Sequence, residues 1–340
     1  MRLERIYELD ILRSLAIVLL FLHHGGLYGV EVLQMSLKFL QPYIGCFIIG
    51  AFIFLAGYLS AVTIEKHPKP DRFRYLKTRF LRIYPPYLVA LALFILLLEV
   101  QLTPRELIVH ILGLQILLAP LVGTPIFTLW FVGMIMLFFY QVFFLQLKFE
   151  SMSGLVLSIM LIFVGSVILN SWFQLFEFRY FIFFPIFAVG ILCERTNILP
   201  VLMASRFMLI DKFIIFILGT IFMALANSRT GMALTFISVL GTDLFILTSI
   251  MLVLSLAKKV VDAKIGLSLF TFISVSSYFA FLFHRPIWKI LTSFMTFRSH
   301  NLLFLYTVIV GTPIVIIVSY NLQKTYNHIL EFLNRRSRIS

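Results

Sequence analysis

The chain has 340 residues, 61% of them hydrophobic and only 13% charged, with 38 phenylalanines and a formal net charge of +13. A soluble domain carries roughly 25% charged residues, and a soluble chain of this length needs more polar surface than this composition supplies. A water-soluble globular fold is therefore excluded, and the expected class is all-α: a polytopic membrane helical bundle.

A helical span needs about 20 apolar residues. Candidates fall near 9–29, 39–63, 83–100, 126–147, 153–169, 179–193, 210–226, 232–257, 266–291 and 301–320, which is about ten transmembrane helices. The first run carries Arg13, His23 and His24 and lacks a small-residue cleavage pattern, so it reads as a span and not as a signal peptide. A further apolar piece, 107–122, is short and ends Leu118-Ala119-Pro120, which predicts an interfacial or re-entrant helix.

The charges orient the chain. With the N-terminus inside and ten spans, 20 Lys and Arg residues fall on the cytoplasmic side and 7 on the other. If 107–122 also spanned, every later loop would flip and the tally would become 14 inside and 13 outside, so ten spans is preferred. The expected organisation is a transmembrane domain over 1–325 and a basic cytoplasmic tail over 326–340. The expected location is the cell (inner) membrane, with both termini cytoplasmic. In a soluble protein this charge would suggest nucleic acid; here it retains loops, and no nucleic acid partner is expected. Some basic groups can also bind an anionic ligand. Cys46 and Cys193 lie in apolar runs and suggest neither a disulfide framework nor a metal site.

Ionisable residues inside a membrane cost roughly 2.5–3.5 kcal/mol each on insertion scales and are functional candidates. Asp10 and Arg13 are three apart in span 1, so they share a helix face and can pair. His24 is 14 residues beyond Asp10, about 21 Å up the helix, in the outer half of a ~30 Å core. His23 and His24 are both candidates for a general base, because imidazole titrates near neutrality and can take a proton from a hydroxyl and return it to a leaving group. Segment 65–82 is the longest polar stretch, with Pro68 and Pro70 ahead of a basic run. There Arg79 and Arg82 share a face, and paired guanidinium forks suit phosphate. Tyr84-Pro85-Pro86-Tyr87 is expected to break or bend the helix. Trp130 begins span 4 at the outer surface. Asp243 sits mid-span in Gly241-Thr242-Asp243 and needs a partner from another helix. Tyr278 and His284 lie along span 9, with His284 at a depth comparable with His24.

Together these positions resemble the acyltransferase 3 family. Asp10-Ile11-Leu12-Arg13-Ser14-Leu15-Ala16 is similar to its D-G-L-R-G-I-A phrase, with Ile11 and Ser14 replacing glycines. The family's His falls eleven residues after the Arg, which selects His24 and leaves His23 second. Ala56-Gly57-Tyr58-Leu59 resembles S-G-F-L without the Ser. Arg79-Phe80-Leu81-Arg82 matches R-x-x-R before Pro85. Leu129-Trp130-Phe131 with Tyr140 resembles the L-W-F segment, and Phe187-Ala188-Val189-Gly190 the F-x-x-G phrase. Ser277-Tyr278 through His284-Arg285-Pro286 resembles S-Y-x-x-Y-L-x-H-x-P, with Phe281 in place of the second Tyr.

The resemblance implies an O-acyltransferase moving an acyl group, commonly acetyl from acetyl-CoA, to a sugar hydroxyl of a surface polysaccharide or its lipid-linked precursor. The expected partners are acyl-CoA as a donor substrate, a sugar acceptor and membrane lipids, with no permanently bound cofactor. His24, or else His23, is the expected base. Arg79, Arg82 and Arg13 are expected on the CoA phosphates, and Trp130, Asp243, His284 and Tyr278 near the acceptor. A polytopic transporter of a glycan or small molecule is the competing class, but transporters often show two related halves, and none is visible.

Overall fold

The computed structural model describes residues 5–32, 35–65, 72–123, 125–145, 151–203, 207–227 and 232–336. They are almost entirely helical: α1 Tyr7–Gly25, α2 Gln41–Glu65, α3 Arg72–Leu97, α4 Pro104–Ile111, α5 Gln115–Val122, α6 Trp130–Leu145, α7 Met152–Phe173, α8 Arg179–Arg195, α9 Leu199–Met203, α10 Phe207–Asn227, α11 Met232–Asp262, α12 Leu267–Ser293, α13 His300–Tyr306 and α14 Thr312–Arg336. The remaining regular structure includes two short 3₁₀ turns and a two-residue antiparallel ribbon, in which Glu31 pairs with Ser36 and Val32 with Met35.

Each of the ten expected spans coincides with a helix. Among the described residues, six stretches are long and apolar enough to cross a bilayer by themselves: Leu37–Ile64, Phe73–Leu97, Met152–Phe173, Ile237–Asp262, Leu267–Ser293 and His300–Leu333. The piece expected over 107–122 is two helices, α4 and α5. Each has eight residues, about 12 Å, too short for a ~30 Å core. The break falls at Gly113, whose φ of +70° is costly for any residue with a Cβ. α4 starts with a capping box, in which Thr103 Oγ1 accepts from Glu106 N and Thr103 N donates to the Glu106 carboxylate.

Of the break or bend expected at Tyr84-Pro85-Pro86-Tyr87, the break does not occur: α3 runs through Pro85 and Pro86 without ending. Those prolines remove the donors that would reach the carbonyls of Leu81 and Arg82, a loss the helix absorbs where it leaves its basic first turns. Residues 66–71, with Pro68 and Pro70, lie outside the described residues. At the other end, α14 continues to Arg336, through most of the expected tail.

The chain divides into two compact units. The first holds Met1–Ile48, Tyr84–Val100 and Val260–Ser340. Its main helix pairs are α12 with α14 and α1 with α12. Asp10, early in α1, meets Ser274 early in α12, and His24 meets His284 further along, so α1 and α12 run parallel. Between α13 and α14 the chain makes a π-helical turn, Thr307–Gly311, immediately ahead of Pro313.

The second unit holds Ile49–Ile83 and Gln101–Lys259. Its helices cross closely at glycines. A Cβ on Gly57 of α2 would stand 2.2 Å from the Phe187 carbonyl oxygen of α8, and one on Gly190 would stand 2.3 Å from that of Phe54. Gly219 of α10 and Gly241 of α11 make a similar contact, each lying against the other helix's backbone. Lys212 of α10 is buried and donates to Ser255 Oγ at 2.6 Å and to the Leu202 carbonyl, tying α9, α10 and α11 together.

Candidate functional site

The end of α1 concentrates imidazoles. His23 and His24 are followed by Gly25 and Gly26, and Gly26 stops the helix at φ +106° with its N–H returning to the Leu22 carbonyl. The helix ends just past the histidines because a left-handed residue there favours glycine.

His24 Nδ1 lies 2.9 Å from His284 Nε2, with the two ring planes 3° apart. His284 is completely buried, whereas His24 keeps partial access. The His284 ring is walled by Trp288, with centroids 5.1 Å apart and planes at 81°, and by Phe21 at 6.0 Å. Its other nitrogen, Nδ1, lies 2.8 Å from the Phe281 carbonyl and 3.2 Å from that of Ala280. Trp288 Nε1 is buried with no hydrogen-bond partner among the described residues. Arg285 is near enough for its charge to act on His23, His24 and His284.

His23 faces a different partner. Its Nδ1 is 2.6 Å from the Tyr28 hydroxyl, and its ring packs against Gly45, where a Cβ would stand 3.2 Å from His23 Cε1. The loop after α1 is held by His300, whose Nε2 donates to the Gly26 carbonyl at 3.0 Å and fills the space a Cβ on Gly29 would need. Sequence reasoning passed over His300; the glycines at 26 and 29 were its only trace.

Two side chains hold Asp10. Arg5 Nε donates to its Oδ2 at 2.5 Å, and Ser274 Oγ to its Oδ1 at 2.6 Å. Ser14 Oγ donates to the Phe270 carbonyl at 2.7 Å. Asp10 thus anchors the α1–α12 pair near its start, and Arg13 is half-buried one turn further on. Tyr278, six residues before His284, is about 240° around α12 from it, and it lies near Tyr87 and Tyr326. The histidines are therefore brought together with each other and not with Tyr278.

The other predicted residues belong to the second unit. Arg79 Nη2 donates to the Leu59 carbonyl at 3.0 Å and to Thr63 Oγ1 at 2.8 Å, and its guanidinium lies over the rings of Tyr75 and Phe139. It braces α3 against α2 and α6. Arg82 is exposed. Arg74 and Lys77 line a shallow groove with Phe73, Leu76, Phe80 and Tyr140. Trp130 has one face covered by the Arg179 guanidinium, 4.1 Å from the ring centroid, and Glu177 holds Arg179 Nε at 2.7 Å. The approach to Trp130 passes Thr128 at φ +64°, a strained conformation for a β-branched residue. Asp243 is buried in α11, and its Oδ1 has no partner among the described residues.

A family model described as an acyltransferase domain matches residues 6–323 of the chain. No curated protein and no solved structure matches it.

Proposed function

This chain belongs to the acyltransferase 3 family of membrane acyltransferases, and we propose that it carries an acyl group, acetyl first among them, from cytoplasmic acyl-CoA to a hydroxyl of a cell-surface polysaccharide or its lipid-linked precursor. The observation that supports this most is the His24–His284 pair at the end of α1. A partly accessible imidazole backed by a buried one is the equipment of a general base for a hydroxyl nucleophile. In the reaction, a ring nitrogen of His24 takes the proton of the acceptor hydroxyl as its oxygen attacks the thioester carbonyl. The new C–O bond forms, the C–S bond breaks, and the leaving thiolate takes the proton from His24. No net proton is consumed, and the products are an acyl ester and free CoA thiol.

The charge distribution favours a cytoplasmic N-terminus, and about 21 Å of helix rise from Asp10 then carries His24 into the outer half of the core. That suits a base serving an acceptor finished outside the cell. Arg82, exposed at the basic start of α3, is suited to the donor's phosphates. Arg79 supports it while bracing α2.

The test uses purified protein in lipid nanodiscs with membranes of the host strain as acceptor source. Acetyl-CoA is expected to be consumed, and O-acetyl groups to appear on host glycan. Arg82→Glu is expected to weaken acetyl-CoA binding in calorimetry about tenfold, or ~1.4 kcal/mol. Unchanged binding would remove the phosphate role, and absence of acetyl-CoA turnover by the native protein would remove the donor.

A further inference from the structure

We propose that His284 is a positioning residue that sets the tautomer of His24 and leaves His24 Nε2 as the basic nitrogen of the pair. This deepens the reading of His24 as the base and rests on it.

The assignment follows from which atoms can only accept. His284 Nδ1 faces the carbonyl oxygens of Phe281 and Ala280 at 2.8 and 3.2 Å. Carbonyls have no hydrogen to give, so this nitrogen carries the N–H. A neutral imidazole has one N–H, so His284 Nε2 bears a lone pair. That lone pair faces His24 Nδ1 at 2.9 Å, so His24 Nδ1 must be the donor. His24 Nε2 is then left unprotonated, ready to accept a hydroxyl proton. A reversed chain would put the N–H of His24 on Nε2 and leave a lone pair of His284 aimed at carbonyl oxygens.

The ring planes, 3° apart, keep the N···N contact close to the in-plane lone-pair direction. Trp288 and Phe21 hold the His284 ring in that orientation. His284, its own tautomer fixed by the carbonyls of α12, thus plays the part that a carboxylate plays behind a catalytic histidine elsewhere. When Nε2 of His24 takes the proton, its Nδ1–H remains bonded to His284 Nε2, which steadies the imidazolium. His23, with Nδ1 on Tyr28, stands outside this relay, and Arg285 is the fixed charge beside it.

The test compares two substitutions in the acetyl-CoA turnover assay, with melting in detergent as a check on folding. His284→Gln keeps an oxygen that accepts from His24 Nδ1 and an amide that donates to the α12 carbonyls. His284→Phe keeps the ring volume and removes both. His284→Phe is expected to lower kcat by roughly 10²- to 10⁴-fold, with KM for acetyl-CoA changed less than about threefold. His284→Gln is expected to stay within about tenfold of the native kcat. Native-like kcat in His284→Phe would overturn the proposal, as would a folded His284→Gln as inactive as His284→Phe. If His284→Phe fails to fold, His284→Gln decides alone, retained activity supporting the role and lost activity overturning it. An active His24→Ala would instead refute the underlying reading of His24. An inactive His24→Ala beside a fully active His284→Phe would refute only the tautomer role.

Discussion

Gly57 and Gly190 are expected to be coupled. A Cβ on Gly57 would stand 2.2 Å from the Phe187 carbonyl oxygen, and one on Gly190 would stand 2.3 Å from that of Phe54. Close Cα···O contacts in helix packing lie at roughly 3.3–3.6 Å, so either alanine must part α2 and α8 locally by about 1 Å. Overpacking of this kind costs about 1–3 kcal/mol, and the contacts here are to backbone, which cannot rotate away, so ~2–3 kcal/mol is expected for each. The same separation relieves both clashes. Gly57→Ala with Gly190→Ala should therefore cost clearly less than the sum, with a coupling of about 1 kcal/mol or more. Thermal melting in detergent, followed by tryptophan fluorescence, measures the cycle. Full additivity, or no loss in either single variant, would refute the close crossing.

Two further outcomes are expected. Tyr28→Phe removes the hydroxyl that lies 2.6 Å from His23 Nδ1 and should leave transfer within a few-fold of native, because His24 bonds His284 and not Tyr28; loss of transfer by 10² or more would contradict that separation. Arg179→Ala should lose ~1–2 kcal/mol of cation–π stabilisation and change Trp130 fluorescence, because the guanidinium sits 4.1 Å from the ring; an unaltered emission spectrum would contradict that stacking.

The positions of the helices were legible because hydropathy alone marks a span, and each expected run coincides with a helix. The failures were local. The break at Gly113 and the passage of α3 through Pro85 and Pro86 depend on how freed backbone groups are satisfied, which a hydropathy window does not register. Helix spacing offered Arg13 to Asp10 and could not show Arg5, in the segment before the helix, or Ser274, 264 residues away, both of which bond its carboxylate.

The site was legible as a set of residue types and less so as an arrangement. His24 and His284 were singled out separately at comparable depth. Their 2.9 Å contact, 260 residues apart in sequence, is a product of the parallel α1–α12 packing. Arg79 read as a phosphate ligand, but spacing could not show that Leu59 and Thr63 claim its Nη2. Glycines of two family-like phrases were noted without a reason; the α2–α8 crossing supplies one, since each leaves room for the other helix's carbonyl.

The most direct test of the central claim is acetyl transfer by His24→Ala beside His23→Ala, read as O-acetyl groups on host glycan and acetyl-CoA turnover by protein confirmed to be inserted and folded. Loss of transfer in His24→Ala, by 10² or more, with His23→Ala near native, is the expected result. Native transfer in His24→Ala would contradict the account, and loss confined to His23→Ala would move the base to the neighbouring residue.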